Sequence, residues 1–247
     1  MSGCAGLPRA AHCVKSSLNA MQEDTKISPV NPLPPVVAAL FIIMIGIEGV
    51  FALGARGIIG GEAALGWRIA AVETYGFNSQ ILDWMLINGV YPIEHLIRSI
   101  SYLFVHGSFI QAIFVGVMVL ALGKMVGEVF SSLATLAVFI VPGMLGSLVY
   151  GYVLNDPHWL IGGFPGVYGL IGAFTFLLWI RLRLLGGQQS RAFSLIGVLM
   201  AIQLVFGVFG GSNDWLADAS GFCAGFCLSF FVCPGGWSKI QELLRRN

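Results

Sequence analysis

The stretch WLIGGFPGVYGLIGAFTFLLWIRLR, residues 159–183, is predominantly apolar and ends on two arginines. At ~1.5 Å of rise per residue, a helix of this length crosses the hydrocarbon core of a bilayer. Its first half is rich in glycine, which leaves room for the backbone of a neighbouring helix to come close. The stretch therefore predicts a membrane-spanning helix that packs tightly against other helices.

The composition of the whole chain indicates several such helices. Of the 247 residues, 57% are hydrophobic and only 10% are charged, and the mean hydropathy is +0.84. Soluble domains carry roughly 25% charged residues, so the chain is predicted to be an all-α polytopic membrane protein whose environment is the lipid bilayer. The net charge of +1 gives no reason to expect nucleic acid as a partner.

The apolar segments predict six spans in one membrane domain, residues 34–234. The spans are expected at about 35–53, 101–125, 130–154, 159–183, 192–209 and 216–233. Between the first two, residues 54–100 mix aromatic and charged side chains, which is typical of short amphipathic helices in the membrane interface. Residues 1–33 and 235–247 are polar tails, the first expected to be disordered. Residues 1–20 belong to that tail or are untranslated, because Met21 offers a second start.

The positive charges predict the orientation of this bundle. No apolar core precedes Pro34, so no cleaved signal peptide is expected. With six spans both tails lie on one side, together with ten lysines and arginines, and the remaining three lie opposite, at Arg56, Arg68 and Arg98. The positive-inside rule then places both termini in the cytoplasm.

Three local patterns resemble those of the rhomboid intramembrane serine proteases. Arg98, Ser101, Phe104 and His106 match the family pattern R-x-x-[TS]-x-x-F-x-H before the second span. Residues 162–173, GGFPGVYGLIGA, resemble the fourth-helix pattern GASGAVYGLLGA, with Tyr168 and Gly169 in register. Residues 217–225, ADASGFCAG, resemble the sixth-helix pattern AHxxGxxxG, with Gly221 and Gly225 in register. The resemblance implies a six-helix rhomboid-like bundle, here of bacterial inner-membrane type.

The chain departs from this family at the residues that carry its chemistry. In register with Tyr168 and Gly169, the position of the family's nucleophilic serine is Phe164. In register with Gly221 and Gly225, the position of its histidine base is Asp218. The second-helix pattern HxxxxHxxxN, whose side chains hold the oxyanion, reads His106, Gln111 and Val115. Phenylalanine offers no nucleophile, and loss of one oxyanion donor commonly costs ~10²–10³ in rate. The departures predict that the protease site is dismantled.

Three serines near these positions are poor replacements for the nucleophile. Ser220 lies two residues after Asp218, about 200° round the helix, so the two side chains face apart. Ser108 stands in the same relation to His106, and Ser101 occupies a structural position of the family pattern. Packing of small residues is the favoured interpretation of all three.

Other polar residues in the spans have less specific interpretations. Glu48 is the one acid of the first span, and snorkelling to the membrane surface is favoured over a functional role. Asp218 faces a water-filled hollow or pairs with Arg98 or His106, which is favoured over binding a cation. Gln111 and Gln203 are expected to hydrogen-bond across helices. The five cysteines and four histidines show no metal spacing, so neither a metal nor a cofactor is expected.

The leading hypothesis is a rhomboid-like protein without protease activity that binds transmembrane segments of other membrane proteins. One alternative is an active serine-type endopeptidase of the family with a rearranged site. A second is a small transporter or channel that uses Glu48 and Asp218, although the halves of the sequence show no internal symmetry.

Overall fold

A computed structural model of the protein describes residues 33–154, 156–184, 187–194, 196–201 and 213–232. Gln203, the C-terminal tail and nearly all of the predicted N-terminal tail lie outside these residues. Half of the span expected at 192–209 also lies outside them, and in the half that is described residues 196–201 are helical. The proposed domain boundaries stay predictions.

The described residues are almost entirely helical. The α-helices are α1 (Pro35–Ala55), α2 (Trp67–Tyr75), α3 (Ser79–Asn88), α4 (Ile93–Ser101), α5 (Phe109–Gly127), α6 (Ser132–Leu154), α7 (Phe164–Leu184) and α8 (Trp215–Val232). Short 3₁₀ turns occupy Gly61–Gly66, Tyr102–Phe104 and Gln189–Phe193. Two two-residue strands, β1 (Phe77–Asn78) and β2 (Trp159–Leu160), pair antiparallel with Phe77 opposite Leu160.

Among the described residues, five helices are long and apolar enough to cross a membrane: α1, α5, α6, α7 and α8. They correspond to predicted spans one, two, three, four and six. The all-α polytopic membrane fold is therefore confirmed. The second and fourth spans begin later than predicted, at Phe109 and Phe164, because the preceding residues form a 3₁₀ turn and a strand.

Helix α7 lies at the centre of the bundle, where it packs against α8, α6 and α5. Its first turns bury Val167, Leu170 and Ile171 completely. On the side that meets α8, a Cβ atom on Gly225 would overlap the backbone of Gly169. The glycines of both helices thus allow the backbones to touch, which is the close packing predicted from the sequence.

Residues 54–100 contain three short helices that are joined to the bundle through the β1–β2 pair. Strand β2 lies between the end of α6 and the start of α7, so β1 is held at the ends of two spans. Several large apolar side chains of this segment are exposed, among them Ile69, Ile87 and Ile93. Their exposure is compatible with the predicted position in the membrane interface.

We expect Gly225→Ala to destabilise the protein by about 1–3 kcal/mol, because the added methyl group would overpack the contact between α7 and α8. Gly46→Ala is the matched control, since no atom lies within 4 Å of a Cβ placed on Gly46 in α1. That substitution should be neutral or stabilising by up to about 1 kcal/mol. Reversible unfolding in mixed micelles measures both, and equal effects would contradict the packing described here.

Candidate functional site

Phe164 is the first residue of α7 and is partly buried. Its ring lies against that of Phe114 on α5, with 6.1 Å between the ring centroids. The next residue, Pro165, fits the first turn of a helix, where a backbone N–H has no partner within the helix. The residue predicted to stand at the position of the family's nucleophile therefore presents an aromatic ring to the junction of α5 and α7.

His106, Gln111 and Gly162 lie together at the start of α5. Gln111 accepts a hydrogen bond from the Gly107 N–H through Oε1 (2.9 Å), so its bond is local rather than interhelical. Gly162 has φ +103°, which side-chain-bearing residues rarely adopt, and a Cβ there would meet Nε2 of Gln111. Val115 lies one turn further along α5 and would contact a Cβ on Gly163. Three of the positions identified from the sequence thus come together.

The His106 imidazole is buried, with only 1% of the residue exposed. Neither ring nitrogen makes a hydrogen bond of ordinary geometry to a described residue. Burial, with the nearby Arg68 guanidinium, lowers the pKa of His106 to about 4. The ring precedes α5 and is neutral at pH 7.

Asp218 lies in the first turn of α8 and is 2% exposed. Its carboxylate is within electrostatic range of the phenols of Tyr102 and Tyr168. Tyr168 is buried in α7, and Tyr102 donates a hydrogen bond to the Gly143 carbonyl (2.6 Å). The residue predicted to stand at the position of the family's base therefore lies near residues of α7 and of the turn before α5.

The three serines considered as replacement nucleophiles each make local hydrogen bonds. Ser220 donates to the carbonyls of Leu216 and Ala217 on its own helix, at 2.7 and 3.0 Å. Ser108 caps α5 by accepting from the Gln111 N–H (3.2 Å), and Ser101 donates to the Tyr75 carbonyl (2.8 Å). These contacts use the hydroxyls for helix and loop structure.

Glu48 forms an ion pair that the sequence analysis missed. The residue is 1% exposed, and Arg68 of α2 contacts both of its carboxylate oxygens, at 2.5 and 3.0 Å. The same guanidinium donates to the His106 carbonyl (2.7 Å) and lies 5.6 Å from the ring centroid of Phe51. The expectation that Glu48 snorkels to the surface is therefore wrong, because a cation from the connecting segment neutralises it inside the protein.

Arg98 and Ser101 join the same connecting segment to the rest of the fold. Arg98 donates to the carbonyls of Glu73 and Gly76, at 2.7 and 3.2 Å, and its guanidinium lies 5.6 Å from the ring centroid of Trp159. With the Ser101 bond to Tyr75, these contacts fix the end of α2. The motif R-x-x-S thus acts on backbone carbonyls in this chain.

A second polar cluster lies in the turn before α7. Asp156 accepts from the His158 N–H (3.0 Å) and from the Asn213 amide (3.1 Å), which connects the turn to the residues before α8. The His158 N–H, followed by the other hydrogen bonds, lowers the pKa of Asp156 to about 2. Within the described residues no group of three or more His, Cys, Asp or Glu side chains is arranged to hold a metal.

Comparison with known proteins identifies one family. The model of the Rhomboid domain matches residues 94–235. A protein of Bacillus subtilis (strain 168) named "Putative rhomboid protease YdcA" is 23% identical over 135 residues. That match covers 54% of this chain and 65% of the relative, which is less than two thirds of the relative's length.

We expect Arg68→Met to lower the free energy of unfolding by about 3 kcal/mol, because the buried Glu48 carboxylate loses its counter-charge. The double variant Glu48→Gln with Arg68→Met should recover most of this loss, since no charge is then left buried. Arg56→Met, at the exposed end of α1, is the control. Equal stability of the Arg68 and Arg56 variants in micelle unfolding would show that the ion pair does not matter.

The pKa of His106 predicts a pH dependence of stability. The unfolded-state pKa is about 6.5 and the folded-state value about 4, so the unfolded state binds the proton first as the pH falls. The contribution of neutral His106 to the free energy of unfolding is fully present above about pH 6.5. The free energy of unfolding should decrease by about 3 kcal/mol as the pH falls to 4. His106→Asn should remove this decrease. A dependence between pH 6.5 and 4 that the substitution leaves unchanged would assign it to other groups.

Proposed function

The chain belongs to the rhomboid family, and we propose that it is a member without serine protease activity that binds transmembrane segments of other membrane proteins. The observation that carries this proposal is Phe164 at the start of α7. A side chain without a nucleophile stands where the family's reaction needs a hydroxyl. Its ring, packed against Phe114, also occupies the junction of α5 and α7.

The surroundings of Phe164 support the loss of hydrolysis. Asp218 carries a carboxylate where the family has an imidazole, and Val115 has no donor for an oxyanion. Ser101, Ser108 and Ser220 already make the hydrogen bonds described above. A rearranged serine site would have to give up one of these bonds and bring a hydroxyl to a base.

The framework of the family is retained, which supports binding rather than loss of all function. The glycine contacts between α7 and α8 and the Arg98 contacts to α2 hold the bundle and its connecting segment together. The family resemblance implies that such a framework admits a helix from the lipid. We further propose a bacterial inner-membrane location with both termini in the cytoplasm, supported by the charge bias and by the bacterial relative.

The absence of hydrolysis is tested with the purified protein in liposomes containing a fluorogenic transmembrane substrate. We expect no cleavage above that of empty liposomes, while an active rhomboid cleaves the same substrate. If cleavage occurs, the triple variant Ser101→Ala, Ser108→Ala and Ser220→Ala decides its origin. Cleavage that this variant abolishes would establish a rearranged serine site and overturn the proposal.

Binding of transmembrane segments is tested by photo-crosslinking in native membranes. A photoreactive residue at Phe164 should capture single-span membrane proteins, because the position lies where α5 and α7 meet. The same residue at Tyr152, which is exposed at the end of α6, is the control for random collisions in the same membrane. Capture of lipid alone at Phe164, or of the same proteins from both positions, would refute the proposal.

A further inference from the structure

An open pocket of about 300 Å³ lies between the connecting segment and strand β2, and its lining includes neither Phe164 nor Asp218. Helices α3 and α4 and strands β1 and β2 provide its described lining, which consists of Asn78, Gln80, Ile81, Trp84, His95 and Trp159. The rings of Trp84 and His95 meet edge to face, with 6.1 Å between centroids. No site discussed above uses this pocket.

The polar groups of the lining are better suited to a ligand with oxygen acceptors than to an apolar one. An indole N–H can only donate, so Trp84 and Trp159 bring two donors to the lining. Nδ1 of His95 is buried and has no hydrogen-bond partner among the described residues. Asn78, in contrast, is already occupied by the Pro157 carbonyl and the Gln80 N–H. A lining with two indole donors and a buried imidazole nitrogen that has no partner suits a ligand rich in acceptors.

The charges near the pocket are mixed. The guanidinium of Arg98 lies 5.6 Å from the Trp159 ring centroid, and Glu94 of α4 is within electrostatic range of Arg98. Asp83 adds a negative charge on α3. A ligand that carries both signs of charge fits these surroundings better than a simple anion, and aromatic rings also attract an ammonium group.

The pocket lies at the depth where the spans end. Trp159, which pairs with Asn78 in the strands, lies between two spans, five residues after the end of α6 at Leu154 and five before the start of α7 at Phe164. Next to the pocket, Ile87 of α3 and Ile93 of α4 are exposed. Tryptophan favours the headgroup level of a bilayer, and exposed apolar side chains there reach the acyl chains.

We propose that this pocket binds the headgroup of a zwitterionic glycerophospholipid. The phosphate and ester oxygens accept hydrogen bonds from the indole, imidazole and Gln80 donors. The ammonium group lies among the aromatic rings and the acidic side chains of α3 and α4. The acyl chains leave past the apolar side chains of the same two helices. The site is independent of whether the protein hydrolyses peptide bonds.

Native mass spectrometry of the full chain in a mild detergent tests the proposal. After delipidation, phosphatidylethanolamine is added and the bound fraction is measured. We expect the wild type to retain one lipid, and Trp84→Ala to lose it. Gln80→Leu, which removes one donor from an exposed position, should weaken retention by about tenfold. If Trp84→Ala does not fold, the Gln80→Leu variant alone tests whether the pocket binds the lipid headgroup.

Two controls make the result specific. Tyr152→Ala removes an exposed aromatic ring at the end of α6, outside the pocket, and should retain the lipid like the wild type. Diacylglycerol has the same acyl chains without the phosphate and ammonium groups and should be retained about tenfold less. Equal retention by the wild type and Gln80→Leu, or equal retention of diacylglycerol, would overturn the proposed headgroup site.

Discussion

The backbone contact between α7 and α8 is the constraint on which the rest of the structure depends. In a bilayer, association of helices gains little from the hydrophobic effect, so close packing has to supply the attraction. Gly172 and Gly225 permit that packing, since a Cβ atom at either position would overlap the backbone of the other helix. The contact places Phe164 and Asp218, at the first turns of the two helices, in the same part of the bundle.

The ion pair between Glu48 and Arg68 holds the connecting segment against α1 and the residues before α5. A carboxylate inside a span is costly unless it is paired, and the pairing cation comes from α2 rather than from another span. Because the same guanidinium donates to the His106 carbonyl, it connects α1, the connecting segment and the start of α5. Arg98 connects α4 to the end of α2 by donating to backbone carbonyls.

Much of the fold could be predicted because its signals are local. Length and hydropathy predicted the spans that became α1, α5, α6, α7 and α8, and the glycine pattern predicted their close packing. The motif that singled out His106, Gln111 and Val115 also selected residues that lie close together in the structure, beside Gly162 and Gly163. The starts of α5 and α7 were placed too early, since hydropathy does not distinguish a helix from the 3₁₀ turn and strand that precede them.

The sequence by itself determined a polytopic helical membrane protein and its resemblance to the rhomboid family, while the assignment of Phe164 and Asp218 to the positions of the family's nucleophile and base stays a prediction. Only the tertiary structure decided that Glu48 pairs with Arg68 and that Arg98 donates hydrogen bonds to backbone carbonyls. It also decided that Trp84, His95 and Trp159 line one pocket. The physical reason is the distance along the chain. Spans follow from neighbouring residues, whereas this ion pair and this pocket join side chains that lie eleven or more residues apart. Hydrophobic periodicity carries no information about such contacts.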